Sequence, residues 1–155
     1  MRVVILRSLA LIALAFPAAT SAQSLERGRY MILTGHCNNC HTAGFVQNSG
    51  RIPEDKWLMG NPVGWRSKQG TTYGTNLRLF VKDLGEDDWI RIVRNGQPRA
   101  PMPWWSLRET SDDDLRAMYR YIRSLGPAGK PAPAFIPPDQ TPPPPFVQFP
   151  APPPK

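Results

Sequence analysis

Two cysteines and a histidine within one short run constrain this chain more than any other feature of its sequence. Cys37 and Cys40 are its only cysteines, two residues separate them, and His41 follows directly. On one turn of helix this spacing holds two sulfurs a few ångströms apart and places an imidazole beside them. C-x-x-C-H is a recognised attachment pattern for haem c, in which the thiols add to the vinyl groups and the histidine binds the iron. The pattern therefore predicts one covalently bound haem c per chain.

Three other kinds of site use the same residues and have weaker support. A redox-active dithiol starts a helix after a strand in a thioredoxin-like fold, whereas a helical segment precedes Cys37 here. A zinc site would add His36 to the three residues of the pattern, but zinc sites normally gather two separated ligand pairs and this chain has no second pair. A disulfide across a two-residue gap would close a trivial loop and stabilise little.

The first 22 residues are typical of a secretory signal peptide. Arg2 and Arg7 give a basic start, an apolar run covers residues 9–16, and small residues lead to Ala22. An uncleaved membrane anchor is the alternative, but this run is shorter than the roughly 20 residues that span a bilayer. We expect cleavage near Ala22, export to the periplasm and a mature chain without a transmembrane segment.

The charge of the chain indicates which partners it can have. Removing Arg2 and Arg7 from the 19 basic residues leaves 17 against 12 acidic ones, a net charge of +5 for the mature chain. The basic residues are scattered singly, so we expect no nucleic-acid partner. A modest positive charge instead favours an acidic redox partner. Five basic side chains are candidates to meet it: Arg66, Lys68, Arg78, Arg99 and Arg108.

A helix is predicted directly before the cysteines. Residues 24–36 carry an apolar face, and Ser24 is a candidate N-cap. Gly28 lies inside this helix, where glycine costs up to about 1 kcal/mol relative to alanine. We therefore expect another helix to pack closely against it.

Two further helices are predicted in the second half of the chain. One starts at Glu86 with three acidic residues in its first turn, which suit the helix dipole, and ends at Gly96. The last helix has the strongest signals. Ser111 caps it, Asp114 stands three residues later in a capping-box arrangement, and apolar residues recur at helical spacing as far as Leu125.

The remaining segments show no sustained period. Residues 42–84 are rich in glycine and predict a long loop region, which fits a compact domain if it wraps a large rigid ligand. Residues 127–155 hold 13 prolines in 29 positions. This composition predicts an extended polyproline II tail that forms neither helix nor sheet ladders. The chain thus divides into a signal peptide (1–22), a haem domain (23–126) and a proline-rich tail (127–155).

A haem that only transfers electrons needs a second axial ligand, and the sequence favours a methionine. Met59 and Met102 both lie in predicted loops. Met102 stands between Pro101 and Pro103, which favour a stiff, extended backbone that can project a thioether at low entropic cost. We predict His41 and Met102 as the axial ligands of the iron, with Met59 or an open site as alternatives. A His/Met pair raises the reduction potential.

Together these features resemble the class I cytochrome c family: a helix before C-x-x-C-H, a loop-borne methionine and a final helix with aromatic residues. The resemblance covers about residues 24–126. The runs YGTNL at residues 73–77 and APMPW at residues 100–104, with Trp89 between them, resemble more closely the cytochrome c subunits or domains of bacterial alcohol, gluconate and isoquinoline-type dehydrogenases. Those proteins carry several haem domains, whereas this chain has one.

The resemblance implies an all-α class I cytochrome c fold, with about three to four helices wrapped around one covalent haem and long loops between them. It implies that Gly28 packs on the last helix near Leu115 and Tyr119. It also implies that Nδ1 of His41 donates to a backbone carbonyl, for which that of Pro53 is the candidate. Four side chains become candidates to line the haem or to bond its propionates: Tyr73, Asn76, Trp89 and Trp104.

The implied function is electron transfer rather than catalysis, because both axial positions of the iron are filled and no substrate binds the metal. The implied redox partners are a periplasmic dehydrogenase, or a terminal oxidase or peroxidase. Two alternatives stay open. The chain is a dedicated subunit of a periplasmic dehydrogenase complex, docked through its proline-rich tail and the Trp104-Trp105 pair, or it is an enzyme or gas sensor with an open haem site.

Overall fold

A computed structural model of the chain describes residues 17–97 and 99–150, and within them the chain forms six helices and three strands. The helices are α1 (Pro17–Thr34), α2 (Cys37–His41), α3 (Leu77–Phe80), α4 (Glu86–Asn95), α5 (Trp104–Glu109) and α6 (Asp112–Ser124). The strands are β1 (Asn61–Ser67), β2 (Gly70–Gly74) and β3 (Phe146–Gln148), and a 3-10 turn covers Glu54–Lys56. Most of the predicted signal peptide and the last five residues of the tail lie outside the described residues.

Gly28 brings α1 and α6 together at the centre of the fold. A Cβ at this position would overlap the backbone carbonyl of Ala117 and lie 2.7 Å from the Cβ of Tyr121. The predicted close approach of another helix is therefore confirmed. The nearest atoms belong to Ala117 and Tyr121 rather than to the predicted Leu115 and Tyr119.

α4 and α6 form where the sequence predicts them. α4 has its three acidic residues in the first turn, and Gly96 follows its last residue. Ser111 caps α6, because its Oγ accepts a hydrogen bond from the backbone nitrogen of Asp114 at 3.2 Å. These helices and α1 enclose the main cluster of buried side chains: Ile32, Trp57, Leu58, Val81, Trp89, Val93, Leu115, Met118, Tyr119, Tyr121 and Ile122. In the part of the chain that the structure describes, no helix is long and apolar enough to cross a membrane.

The fold is mostly helical, but it also contains a three-stranded sheet. β1 and β2 form an antiparallel hairpin in which Ser67 pairs with Gly70, and β3 joins the other side of β1 in parallel. Three of the six helices have seven residues or more, in line with the predicted three to four. The class is mostly helical rather than all-α, because residues 42–84, predicted as a long loop region, contain the hairpin. Glycines obscured the hairpin in the sequence. Gly70 has a φ of +118° in its turn, and Gly64 leaves room for Thr71, whose Cγ2 would lie 2.8 Å from a Cβ there.

The proline-rich tail follows the hairpin along the surface. Asn76 Nδ2 donates to the carbonyls of Ala128 and Lys130 at 2.8 and 3.1 Å. Ile136 then exchanges two backbone hydrogen bonds with Thr71 of β2, and β3 pairs with β1. The expectation that the tail forms no sheet ladder is wrong, because Ile136 and β3 lie between the prolines and keep their N–H donors.

Candidate haem site

The cysteine–histidine run forms its own short helix, α2, directly after α1. His36 lies between the two helices in a left-handed conformation, with a φ of 56°. Because a helix and not a strand precedes Cys37, the context of a thioredoxin-like dithiol is absent here. Both cysteines are free thiols, so no disulfide joins them. Among the described residues, no three His, Cys, Asp or Glu side chains come together as a metal-binding group.

One hydrogen bond fixes both the ring orientation and the tautomer of His41. Its Nδ1 lies 2.8 Å from the backbone oxygen of Thr75. Burial lowers the pKa of His41, although the bond to Thr75 acts in the opposite direction, so the ring is neutral at pH 7. Because a carbonyl oxygen only accepts, Nδ1 carries the proton and Nε2 keeps its lone pair. His41 is thereby prepared to bind a metal ion through Nε2.

The carbonyl that orients His41 belongs to Thr75, so the predicted role of Pro53 is wrong. The carbonyl of Pro53 accepts from the backbone nitrogen of Lys56 at 2.9 Å and starts the 3-10 turn. Every residue has a backbone carbonyl, so the sequence alone does not indicate which one reaches the imidazole. Thr75 directly follows β2, so the hairpin positions its carbonyl beside His41. The sequence did not predict this hairpin.

Besides His41, α2 carries the two thiols of the pattern and a buried asparagine, Asn38. Burial raises the pKa of Cys37 to about 11 and also raises the pKa of Cys40, so both thiols are protonated at pH 7. Asn38 is buried between them, with its Oδ1 accepting from Thr42 Oγ1 at 2.6 Å. Its Nδ2 has no hydrogen-bond partner among the described residues. Two thiols that can add to vinyl groups, beside an imidazole with an available lone pair, fit a covalently attached haem.

The loop that carries Met102 consists of two tight turns, and we name residues 99–103 the Met102 loop. The nitrogen of Met102 donates to the carbonyl of Arg99, and its carbonyl accepts from the nitrogen of Trp104, both at 3.0 Å. Pro103 has φ −83° and ψ 67°, which are typical of an inverse γ-turn. The predicted absence of helix at Met102 is confirmed, but the predicted extended backbone is wrong because the two turns fold the chain back.

One face of β2 contacts both α2 and the Met102 loop. Gly74 lies so close to α2 that a Cβ there would overlap the carbonyl oxygen of Cys40. Two residues earlier, Thr72 Oγ1 donates to the carbonyl of Ala100 at 2.7 Å. Residues two apart on a strand share a face. A single strand thus holds together the two segments that the sequence predicts to bind the iron.

Two of the predicted pocket residues use their polar atoms within the protein. Asn76 Oδ1 accepts from the nitrogen of Leu79 at 3.0 Å and caps α3, while its Nδ2 donates to the tail. Trp89 is buried, and its Nε1 donates to the carbonyl of Leu115 at 3.0 Å. Protein carbonyls accept from the N–H groups of both side chains in this structure, and the prediction that they line the haem or bond its propionates stays a prediction.

The other predicted residues lie in less buried places. Tyr73 is half-buried on β2 opposite Gly64. Trp104 is half-buried at the start of α5, with its ring over Gly96, where a Cβ would overlap it. Met59, the alternative ligand, packs against the tail, since its Sδ would lie 3.3 Å from a Cβ on Gly129.

Trp65 is a candidate that the sequence analysis missed. Its Nε1 is buried and has no hydrogen-bond partner among residues 17–97 and 99–150. Trp65 pairs with Thr72 across the hairpin, so its side chain lies on the face that contacts α2 and the Met102 loop. Thr71 Oγ1 is also buried without a partner in the described chain, but on the opposite face. The indole N–H of Trp65 is therefore a donor that the described chain leaves without a partner, and no sequence pattern indicated it.

Comparisons with known proteins find a matching family model and several relatives. The family model described as cytochrome c oxidase, cbb3-type, subunit III matches residues 23–122. A nicotinate dehydrogenase subunit of Pseudomonas putida is 32% identical over 126 residues, which cover 74% of this chain and 10% of that protein. The gluconate 2-dehydrogenase cytochrome c subunit of Pantoea cypripedii is 30% identical over 129 residues, which cover 76% of this chain and 26% of that protein.

The cytochrome c subunit of alcohol dehydrogenase (quinone) from Gluconobacter oxydans is 27% identical over 128 residues, which cover 68% of this chain and 24% of that protein. The chain thus spans from a tenth to about a quarter of the length of these relatives. No solved structure matches the chain.

Proposed function

The chain belongs to the cytochrome c family, and on this basis we propose that it carries single electrons through one covalent haem whose iron lies between His41 and Met102. The shared face of β2 carries the proposal. Gly74 on that face contacts the carbonyl of Cys40, and Thr72 on the same face binds the Met102 loop. Both segments therefore contact one strand, which supports His41 and Met102 as ligands of one group.

Each residue of the site has a distinct task in this proposal. When bound, haem supplies an iron that alternates between Fe(III) and Fe(II). Cys37 and Cys40 would hold the group by thioether bonds, each formed by addition of a thiol S–H across a vinyl group, which needs no oxidant. His41 offers Nε2, and its bond to Thr75 orients the ring and raises its basicity. With Met102 on the other side, the chain transfers electrons and catalyses no reaction of its own.

We also propose where the chain acts. Residues 1–22 direct export to the periplasm and are removed, residues 23–126 hold the haem, and residues 127–155 form the tail. The mass of the exported protein tests this division, because cleavage near Ala22 leaves a chain that begins at about Gln23 and is heavier by one haem. A mass that still includes residues 1–22 would contradict it.

Absorbance spectra test the ligands. The oxidised protein is expected to show the weak far-red band of a methionine–iron bond. Met102→Ala should lose this band, while the matched variant Met59→Ala should keep it. Covalent haem should stay with the chain on a denaturing gel, and its absence there would overturn the proposal. Rapid binding of carbon monoxide by the reduced wild-type protein would support an open haem site instead.

A second candidate function is that of a dedicated electron-transfer subunit in a periplasmic dehydrogenase complex. The gluconate and alcohol dehydrogenase relatives favour it, because they are themselves cytochrome c subunits. Trp105 also favours it, because 65% of its surface is exposed beside the Met102 loop, where it could contact a partner. Co-purification of the chain with a large oxidoreductase from periplasmic extract would support the subunit. Recovery of a monomer that exchanges electrons with a terminal oxidase or peroxidase would support the carrier.

A further inference from the structure

The Met102 loop is held from outside by two side chains that lie far from it in sequence. Thr72 Oγ1 of β2 donates to the carbonyl of Ala100 at 2.7 Å. The ring of Phe135, in the tail, lies under the guanidinium of Arg99, with the central carbon 4.7 Å from the ring centroid. These two contacts meet the loop just before Met102.

Phe135 is itself fixed to the hairpin. The next residue, Ile136, donates to the carbonyl of Thr71 at 3.0 Å and accepts from its nitrogen at 2.8 Å. Gly70 makes room for the ring, since a Cβ there would lie 2.6 Å from Cζ of Phe135. The tail, β2 and the Met102 loop thus form one connected set of contacts.

The tail contact is an addition to the family's domain. The family model matches residues 23–122, whereas Phe135 and Ile136 lie beyond that range. Residues of this chain outside the matched domain therefore support the segment that carries the proposed iron ligand.

We propose that Thr72 and Phe135 are positioning residues, which hold the Met102 loop in the conformation that presents the Met102 thioether to the haem iron. This inference rests on the proposed function, because it requires that Met102 is a ligand. Loss of either contact lets the loop leave its two tight turns more often. The fraction of molecules in which Met102 is away from its ligand position then rises.

Imidazole measures that fraction, because it binds the ferric iron only in molecules whose Met102 is away from its ligand position. The apparent affinity for imidazole therefore rises with the population of those molecules. Thr72→Val removes the hydroxyl and keeps the branched shape, and Phe135→Ala removes the ring under Arg99. Each variant is expected to bind imidazole roughly fivefold more tightly than the wild-type protein, the effect of one net hydrogen bond or cation–π contact.

Matched controls separate positioning from general destabilisation. Thr34→Val also removes a hydroxyl that donates to a backbone carbonyl, that of Tyr30 at 2.9 Å, and Thr34 is exposed at the end of α1. Phe146→Ala removes another tail ring of similar exposure (37% against 39% for Phe135). Phe146 is on β3, the edge strand opposite β2, and its ring lies under the guanidinium of Arg66. Both controls should leave the apparent imidazole affinity unchanged.

Two results would overturn the inference, and they are distinguishable from each other. If the wild-type protein shows the methionine–iron band but imidazole binds all four variants equally, the positioning role is wrong and the ligand assignment stands. If the wild-type protein lacks the band, the ligand assignment fails, and the positioning role fails with it. Trypsin cleavage after Arg99 in the haem-bound protein gives an independent measure, and it should be faster in Thr72→Val and Phe135→Ala than in their controls.

Discussion

Gly74 determines how closely the hairpin approaches α2. A methyl group at this position would overlap the carbonyl oxygen of Cys40, and backbone atoms on both sides limit the relaxation. Gly74→Ala is therefore expected to cost about 1–3 kcal/mol of unfolding free energy, measured by urea denaturation. Because Thr75 is the next residue, the variant should also weaken the bond to His41 and raise the reduction potential.

Gly85→Ala is the matched control for this substitution. Its Cβ would lie 3.5 Å from a carboxylate oxygen of Asp88, which is an ordinary contact, and its φ of −79° suits alanine. This variant should stay within about 1 kcal/mol of the wild-type protein, the usual range for a change at an N-cap. Equal unfolding free energies and equal reduction potentials for the two variants would show that Gly74 does not set the distance between β2 and α2.

Side chains with unusual chemistry could be found from the sequence, and backbone groups could not. Cys37, Cys40 and His41 indicate their site by identity and spacing alone. Thr75 contributes only a carbonyl, and Gly74 contributes the absence of a side chain. Their places depend on a strand pairing between residues distant from α2, which no local pattern encodes. The same limit explains why Pro53 was predicted in place of Thr75.

At the level of elements, the crossing of α1 and α6 depends on Gly28. Gly28→Ala would bring a Cβ into the backbone of α6 at Ala117, so the helices must separate. The gain in helix propensity, up to about 1 kcal/mol, opposes an overpacking cost of about 1–3 kcal/mol. We expect net destabilisation in urea, whereas Glu26→Ala, at an exposed position of the same helix, should change the unfolding free energy by no more than about 0.5 kcal/mol.

The same pair of helices is joined by a pH-dependent ion pair. Arg27 Nε and Nη2 donate to the two carboxylate oxygens of Asp114 at 2.6 and 3.0 Å. Arg27 lowers the pKa of Asp114 below its ordinary value of 3.8, although burial acts in the opposite direction. The folded-state pKa is the lower one, so the stabilisation is complete above the unfolded-state pKa and is lost as pH falls through the folded-state pKa.

Asp114→Asn should therefore lower Tm at pH 7, and the difference from the wild-type protein should disappear in acid below the folded-state pKa of Asp114. Thermal denaturation at a series of pH values measures this difference. Asp113→Asn is the matched control, because Asp113 is the exposed neighbour on α6. A difference at Asp114 that stayed constant with pH would contradict the assignment of the effect to the charge pair.

Elements with their own local signals were predictable, and elements that depend on pairing were not. α4 and α6 carry caps, dipole charges and apolar periodicity within their own residues. β1 and β2 show no alternation because glycine occupies several of their positions, so their pairing appears only in three dimensions. β3 is three residues within a run of prolines, and nothing local distinguishes it from the rest of the tail.

The whole molecule is positively charged, but its basic side chains are not a ring of surface charges. Arg78 is 7% exposed, and its guanidinium donates to the carbonyls of Asp55, Leu125 and Gly126, so its predicted contact with an acidic partner is wrong. Arg108 is half-buried and donates to the carbonyl of Gly96 at 3.1 Å. Electrostatic steering must therefore come from the overall charge and from exposed residues such as Lys68.

Oxidants of opposite charge test this steering without a known partner. After removal of residues 1–22 the chain carries a net charge of +5, and two haem propionates would leave its sign positive. Oxidation of the reduced protein by ferricyanide should slow by roughly two- to tenfold as salt rises from low to physiological strength, because salt screens the attraction. Oxidation by the cationic tris(phenanthroline)cobalt(III) should become faster over the same range. Lys68→Gln should reduce both slopes, and equal slopes for the two oxidants would show that net charge does not guide the encounter.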